Sequence, residues 1–368
     1  MSPSPVVQQL VIAAVKIGVV VGVLLGLFSV MTWIERRSLA FMQYRLGPNR
    51  TGPLGILQPI ADGIKLFFKE EVMPAAANKW AFLAAPVVAV STALLAVAVL
   101  PYGPPFTLPR LDSLPSGLKW LWPEWLKGRT GQIQIAHVDV GLLFIFAIAA
   151  LGVYGIVLAG WSANNKYALL GGLRSSAQMF SYELALGLSF VGVIMLAGSF
   201  QIADIVDAQA GWFWRWNAFV QLPAFLVYFV AATAEVARIP FDLPEGESEI
   251  VAGFHTEYSS MRFALLQMAE YINMITVAVL ATNLFLGGWH PGIPGLPAEG
   301  PLAFLWWGGK VAVLLFVFIW MRGTLPRFRY DQLMHFGWKV LIPVATVWIL
   351  VTAAGVVYAP GLFGGGGR

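Results

Sequence analysis

Residues 10–34 read LVIAAVKIGVVVGVLLGLFSVMTWI, an apolar run in which the only charged residue is Lys16. A helix needs roughly 20 apolar residues to cross the hydrocarbon core of a bilayer, so this run is long enough to span it. Seven further stretches meet the same criterion. The predicted spans are about 10–34, 80–100, 138–160, 178–198, 219–238, 263–286, 302–321 and 338–358. We therefore expect an all-α, polytopic membrane protein with about eight transmembrane helices.

The composition agrees with this fold class. The chain is 58% hydrophobic and 11% charged, whereas soluble domains carry roughly 25% charged residues. We expect a single transmembrane helical domain over residues 1–358, followed by a flexible, glycine-rich tail over residues 359–368.

The residue types present also exclude several kinds of site. The chain has no cysteine, which rules out disulfides, cysteine-ligated iron–sulfur clusters and thiolate zinc sites. Its four histidines lie far apart in sequence, so we expect no protein-bound metal. Neither a G-x-x-x-x-G-K-[ST] motif nor a G-x-G-x-x-G motif after a strand pattern occurs, so we expect no nucleotide bound by this chain.

The distribution of basic residues predicts the orientation. Of the 23 lysines and arginines, 15 fall in loops 1, 3, 5 and 7, six fall on the other side, and Lys16 and Lys310 lie inside predicted helices. Cytoplasmic loops carry an excess of lysine and arginine. We therefore expect a multi-pass protein with loops 1, 3, 5 and 7 in the cytoplasm and both termini on the outer side. Because topology explains the basic pI, we expect no nucleic-acid partner.

Loop 1 contains an additional helical pattern at about residues 54–69. Apolar and polar residues keep helical spacing on opposite faces of this segment, which predicts an amphipathic helix. The apolar set is Leu57, Ile60, Ala61, Ile64, Phe67 and Phe68, and the polar set is Gln58, Asp62, Lys65 and Lys69. Such a helix lies in the membrane interface, either resting on lipid alone or serving a further role.

Five charged residues lie three or more residues inside the predicted spans, where each costs several kcal/mol and usually marks a pathway or a partner. They are Lys16, Glu183, Glu235, Glu270 and Lys310. At about 1.5 Å per residue, a helix entering near residue 178 places Glu183 roughly 8 Å deep, in one layer with Glu235 and Glu270. Lys16 and Lys310 lie toward the opposite side of the membrane. Their charges within the spans could instead be explained by snorkelling, in which the side chain extends to the interface. Grouped buried carboxylates raise one another's pKa and can carry protons near neutral pH.

Loop 5 is unusually acidic. Six of the 19 carboxylates of the chain fall between Glu235 and Glu257. A solvated acidic loop would explain the charge, but the segment 239–244, IPFDLP, is stiff and partly apolar. We therefore expect an ordered loop that folds back over the acidic layer.

Eight sequence motifs of this chain resemble those of one known family, the H subunit of the proton-pumping NADH:quinone oxidoreductase, respiratory complex I. The resemblance extends over about residues 10–358. The motifs are ERR at 35–37, RLGPNR at 45–50, LQPIAD at 57–62, KEE at 69–71, GLRSSAQ at 172–178, SYE at 181–183, AEVARIPFDLPEGESE at 234–249 and FHTEY at 254–258.

The resemblance implies a membrane component that is not catalytic alone. It implies a place at the junction of the membrane and peripheral arms, where the chain forms the tunnel by which quinone (ubiquinone, for example) enters. Its loops would contact the peripheral quinone-reducing subunits, and it would adjoin small membrane subunits. The chain itself would hold no cofactor, since FMN and the iron–sulfur clusters are expected on partner subunits, and quinone is the substrate.

The resemblance also implies roles for individual residues. The quinone tunnel would be formed by Glu35, Arg36, Arg45, Asp62, Lys65, Arg238, Asp242, Glu245, Glu247 and Glu249. Glu183, Glu235 and Glu270 would form the proton pathway, coupling quinone reduction to proton translocation. Some members of the family carry a further glutamate on helix 3, where this chain has Ala149-Ala150-Leu151-Gly152.

Two alternative functions remain open at this point. The equivalent subunit of a membrane-bound hydrogenase would share the buried carboxylates, although the intact Arg45–Asp62 string favours the quinone form. A free-standing secondary ion transporter would also use buried carboxylates, but we find no inverted repeat or pair of broken helices.

Overall fold

The computed structural model describes residues 4–107, 130–243, 250–297 and 300–359. Residues 360–368 of the predicted tail (359–368) and the loop-5 residues Glu245, Glu247 and Glu249 lie outside these ranges. In chain order the helices are α1 (Pro5–Met42), α2 (Gln58–Phe68), α3 (Lys79–Ala98), α4 (Gly141–Ser162), α5 (Lys166–Ala197), α6 (Ile202–Ala208), α7 (Asn217–Val220), α8 (Leu222–Glu235), α9 (Ser260–Phe285), α10 (Gly300–Thr324), α11 (Tyr330–Phe336) and α12 (Ile342–Tyr358). One short antiparallel pair joins β1 (Phe106–Thr107) to β2 (Thr130–Gly131).

Within the described ranges, seven helical segments are long and apolar enough to cross a membrane. They are α1, α3, α4, α5, α9, α10 and the continuous segment of α11 and α12, which is joined by a π-turn at Gly337–Leu341. The predicted polytopic, all-α class is therefore confirmed. The eighth predicted span, 219–238, is present as the apolar but shorter helix α8. A break at Gln221 separates α8 from the single turn of α7.

Helix α5 begins at Lys166, well before the start at 178 expected from hydropathy. Asn165 caps it, since its side-chain oxygen accepts a hydrogen bond from the Tyr167 amide at 2.9 Å. Gly171 and Gly172 lie inside this helix. Because they have no side chain, neighbouring backbone can approach them closely. A Cβ at Gly172 would lie 3.2 Å from the Cα of Gly160 on α4, the kind of small-residue contact that brings membrane helices together.

The core lies between α3, α4, α5, α8 and α9, and α9 is the most enclosed candidate span. Two tyrosines, Tyr182 on α5 and Tyr228 on α8, are fully buried there. By contrast, α1 lies at the edge, where it contacts α2, α9 and α10. We call the end of the bundle that carries residues 43–78 the loop-1 end. The residues between α8 and α9 reach the same end, because Ser260 contacts the end of α2.

Candidate functional site

At the loop-1 end, an ion pair joins α1 to the amphipathic helix α2. Arg36 Nη1 lies 2.6 Å from Asp62 Oδ2, and Gln58 Nε2 donates to Asp62 Oδ1 at 2.9 Å. The side chains of Arg36 and Asp62 are 57% and 32% exposed, so the pair contributes less than about 1 kcal/mol to stability. Its importance is geometric, since it fixes α2 beside the end of α1.

Helix α2 is also anchored at both ends. Before it, the Leu54 carbonyl accepts hydrogen bonds from Arg37 Nη1 at 2.5 Å and Trp33 Nε1 at 3.2 Å. After it, Ser260 Oγ donates to the carbonyls of Leu66 at 2.8 Å and Lys69 at 2.9 Å. None of the α2 side chains is buried in the chain. The apolar face is exposed, as in Ile60 (59%), Ile64 (55%) and Phe67 (68%), so it is free to face lipid or an apolar ligand.

Glu35 directly precedes Arg36, and its side chain points into the protein. It lies at the centre of a group that we call the ionic cluster: Glu35, Arg238, Tyr271 and Arg322. Glu35 is buried. Its Oε1 lies 3.2 Å from Arg238 Nη1 and also pairs with Arg322 Nη1, while Tyr271 donates its hydroxyl proton to Oε2. The cluster therefore joins three helices, α1, α9 and α10, to the segment that follows α8.

The Arg238 guanidinium is held firmly in its charged form. Burial by itself lowers the pKa of Arg238, but the charge of Glu35, followed by Tyr271 and Glu270, outweighs burial and holds the pKa above its ordinary value. The guanidinium carbon also lies 4.4 Å from the centroid of the Tyr271 ring, a cation–π contact. Arg238 thus interacts with two carboxylates, Glu35 and Glu270.

Deeper in the bundle, α3, α4, α5, α8 and α9 enclose what we call the acidic cavity. It has a volume of about 80 Å³, and Glu183, Glu235 and Glu270 line it, as do Ala149 and Gly152. Because Glu183 and Glu235 line the same cavity, a negative charge on one opposes a negative charge on the other. The Oε2 atom of Glu235 is buried without a hydrogen-bond partner among the described residues. The three glutamates predicted to form one layer therefore meet around one cavity.

Glu183 lies further along its helix than the estimate from sequence assumed. The estimate took the helix to start at residue 178, but α5 starts at Lys166. Glu183 therefore lies roughly 25 Å along the helix axis, near its middle. Its proximity to Glu235, at the end of α8, arises because α8 is short and packs along α5.

Helix α9 connects the two groups. Glu270 lines the acidic cavity, and the next residue, Tyr271, belongs to the ionic cluster. Glu270 Oε1 also lies 3.2 Å from His255 Nε2. Successive helical residues point about 100° apart, so one turn of α9 presents a polar group to each site.

The two lysines within the predicted spans, Lys16 and Lys310, are half-buried and have a structural explanation. Lys310 Nζ donates to the carbonyls of Leu286 at 2.6 Å, Gly288 at 2.9 Å and His290 at 2.6 Å, just beyond the end of α9. It also lies 4.1 Å from the centroid of a Trp216 ring. Lys16 Nζ donates to the Gln134 carbonyl at 2.9 Å. Both lysines thus satisfy backbone carbonyls at the end of the bundle opposite the acidic cavity's carboxylates.

The other predicted tunnel residues lie apart from the ionic cluster. Asp242 pairs with Arg327 at 3.1 Å. Arg45 is exposed and donates to the Gln43 side chain at 2.7 Å, and Lys65 is exposed on α2. Tyr271, Arg322 and His255 were not among the predicted site residues. Tyr271 had a sequence signal, since it directly follows Glu270, whereas Arg322 looked like an ordinary loop cation.

Among the residues described, no group of three or more histidines and carboxylates is placed to hold a metal ion. The ionic cluster and the acidic cavity bring together buried acids, guanidinium groups and a phenol. Such an arrangement can bind, orient and exchange protons.

Comparisons with known proteins agree with one another. A sequence model described as NADH dehydrogenase matches residues 15–353. The second H subunit of NADH-quinone oxidoreductase from Koribacter versatilis is 49% identical over 349 residues, covering 94% of this chain and 96% of that protein. The first H subunit of the same enzyme from Geobacter metallireducens is 50% identical, covering 95% and 98%. The H subunit from Frankia alni is 48% identical, covering 91% of this chain and 70% of that longer protein.

Proposed function

This chain belongs to the NADH dehydrogenase family as an H subunit of NADH-quinone oxidoreductase, and we propose that it forms the tunnel by which quinone enters that enzyme. We further propose that it joins the peripheral arm to the proton-pumping membrane arm. An H subunit is a membrane component of a proton-translocating oxidoreductase and is not catalytic alone. The free-standing transporter and the hydrogenase component are set aside, because the curated relatives named above are all H subunits of NADH-quinone oxidoreductase.

The proposal rests chiefly on the consecutive residues Glu35 and Arg36. Arg36 faces outward to the anchored amphipathic helix, and Glu35 faces inward to the ionic cluster. Quinone carries an apolar tail and must arrive from the bilayer. The exposed apolar face of α2 offers that tail a surface, while the Arg36–Asp62 pair offers the polar headgroup a hydrogen-bonding guide.

Coupling would follow from competition for Arg238. Quinone reduction adds negative charge and takes up protons near the peripheral arm. A change of charge there alters the field at Glu35, and Arg238 interacts with both Glu35 and Glu270. If the hold of Glu35 on Arg238 weakens, the guanidinium stabilises the ionised form of Glu270 more strongly. That change reaches Glu183 and Glu235 through the cavity the three carboxylates share.

FMN and the iron–sulfur clusters would then be carried by partner subunits, since this chain has no cysteine to ligate a cluster. The peripheral quinone-reducing subunits would dock at the loop-1 end. Small membrane subunits would pack against the outward faces of the bundle.

The tunnel is tested by Arg36→Ala and Asp62→Ala in the assembled enzyme. Either substitution removes the polar guide, so quinone reductase activity should fall severalfold, while NADH oxidation by an artificial hydrophilic acceptor stays near wild type. Arg329→Ala is the matched control, because Arg329 pairs with Asp331 at 3.2 Å on the exposed surface. Equal loss of both activities would indicate failed assembly, and unchanged quinone activity would contradict the tunnel.

The orientation is a separate proposal. We place the chain in a bacterial inner membrane with both termini outside and the loop-1 end in the cytoplasm. The chain lacks cysteine, so single cysteines report without background. A cysteine replacing exposed Ile293 should react with an impermeant maleimide added outside intact cells. A cysteine replacing exposed Leu46 should react only in inverted vesicles. The reverse pattern would overturn the orientation.

A further inference from the structure

Ser175 is an exception among the buried serines of α5. Ser176, Ser181 and Ser189 each donate a hydroxyl hydrogen bond to a backbone carbonyl of the preceding turn, at 3.0, 2.7 and 2.6 Å. This is the usual way in which a helical serine satisfies its hydroxyl. Ser175 Oγ is fully buried and has no hydrogen-bond partner among the described residues.

Ser175 lines the acidic cavity, and so does Glu235, whose Oε2 has no hydrogen-bond partner in the part of the chain that the structure describes. The great majority of buried polar groups in native proteins are hydrogen-bonded to protein or to ordered water. A water molecule needs roughly 10–15 Å³ of such volume and two to four polar partners. The cavity, at about 80 Å³, has room for several. The hydroxyl of Ser175, the carboxylates of Glu183 and Glu235 and the hydroxyl of Thr92 supply the partners.

We propose that Ser175 is a positioning residue, holding water molecules that link the carboxylates of Glu183, Glu235 and Glu270. The proposal rests on the coupling role of these carboxylates given above. One glutamic acid gives its proton to the adjacent water, and that water passes a different proton through Ser175 Oγ or a second water to the next carboxylate. The waters and the hydroxyl are regenerated. The net change is one carboxylic acid ionised and one carboxylate protonated.

Small side chains keep the space open. Ala89, Ala93, Ala149 and Gly152, from α3 and α4, line the cavity. On α4, a longer apolar side chain at Ala149 would occupy the volume available to water. On the same helix, Ala147 is exposed on the outer surface. Filling the cavity and removing the hydroxyl should therefore produce the same defect by different means.

The first experiment compares Ser175→Ala with Ser176→Ala in the purified, reconstituted complex. Ser176 does not line the cavity and bonds the Leu173 carbonyl, so it is the matched control. Ser175→Ala should lower quinone-linked turnover about threefold to tenfold, which corresponds to the free energy of one net hydrogen bond. It should also increase the solvent deuterium isotope effect on turnover and shift the pH dependence of turnover. Ser176→Ala should stay near wild type in all three, and Ser175→Thr, which retains the hydroxyl, should recover most of the rate.

The second experiment compares Ala149→Leu with Ala147→Leu, and it decides the matter if Ser175→Ala assembles poorly. Ala149→Leu should reproduce the slowed turnover and the larger isotope effect, and Ala147→Leu should not. Wild-type rate, isotope effect and pH profile in Ser175→Ala or in Ala149→Leu would overturn the role of Ser175 and the water. If Glu183→Gln and Glu235→Gln still impair turnover, the coupling proposal survives that result. If they too are normal, the coupling role proposed for these carboxylates fails as well, while the tunnel is still tested by Arg36→Ala and Asp62→Ala.

Discussion

The ionic cluster and the acidic cavity both bury carboxylates, yet they differ in how the charge is satisfied. Glu35 contacts two arginines and a tyrosine. Glu235 keeps one buried oxygen without a partner among the described residues, and the charge that acts on it is that of the like-charged Glu183. A nearby opposite charge favours the ionised form of a buried carboxyl group, whereas a nearby like charge favours its neutral form. Under the proposed function, the ionic cluster keeps its charges while the carboxylates of the acidic cavity carry protons, and the predictions below test this difference.

The largest expected effect is on stability and comes from Glu35→Ala. Removing the carboxylate that lies between Arg238 and Arg322 takes from both cations the counter-charge they share. Breaking a buried pair in this way costs about 3–5 kcal/mol. The measurements are the yield of assembled complex and its thermal denaturation midpoint. A variant that assembles with wild-type yield and midpoint would show that the cluster is not what holds these helices.

The cavity carboxylates should behave in the opposite way. Glu183→Gln and Glu235→Gln each keep the shape of the side chain, so assembly should be retained. Quinone-linked turnover and proton pumping should fall together by at least about tenfold. This minimum loss is smaller than the loss usually seen when a proton-transfer group is removed. The double variant should be little worse than the worse single variant, because groups acting as a unit are non-additive.

The test for the cavity pair is proton flux measured together with quinone-linked turnover in reconstituted complex. Asp207→Asn is the control, since Asp207 is a largely exposed carboxylate (66%) at the opposite end of the bundle. Wild-type turnover and pumping in the double variant would remove these carboxylates from the coupling mechanism.

Lys310→Met should have an intermediate effect on stability. It extends the comparison to a half-buried cation whose partners are backbone carbonyls. Methionine keeps the length of the side chain but leaves the carbonyls of Leu286, Gly288 and His290 without their donor. The expected loss is about 1–3 kcal/mol of stability, seen as a lower denaturation midpoint. Protons pumped per turnover should not change. A changed ratio would mean that Lys310 takes part in proton transfer.

The smallest effect should come from Arg329→Ala. Arg329 and Asp331 are 77% and 68% exposed, and exposed pairs contribute about 0–1 kcal/mol. The denaturation midpoint should stay within error of wild type. A large shift would show that this surface is covered in the assembled enzyme.

The helices could be predicted from sequence because membrane-spanning runs are long and locally encoded. Their ends were harder. Hydropathy placed the start of one span at 178, whereas α5 starts at Lys166, and the close packing of Gly171 against Gly253 and of Gly172 against Gly160 is visible only in the tertiary structure. Likewise α8 stops short of a full span because Gln221 interrupts the helix, where its side chain accepts a hydrogen bond from Trp348 Nε1 at 2.5 Å.

The candidate site was predictable only in part, for a similar reason. Charges inside apolar runs stand out, so Glu183, Glu235 and Glu270 were found. Arg322 and Tyr271 were missed because their importance depends on which helices adjoin α1. The sequence also could not show that Lys310 lies over carbonyls 20 to 24 residues earlier in the chain, or that Arg45 points away from the cluster.

Helix α1 continues unbroken from Pro5 to Met42 and carries Glu35 and Arg36 on faces about 100° apart. Such a rod transmits torsion. A small rotation about its own axis that loosens Arg36 from Asp62 also swings Glu35 relative to Arg238 and Arg322. Rotation of the helix would therefore couple a change at the Arg36–Asp62 pair on the surface to a displacement of the Glu35 carboxylate in the interior. No bend in the backbone would be needed.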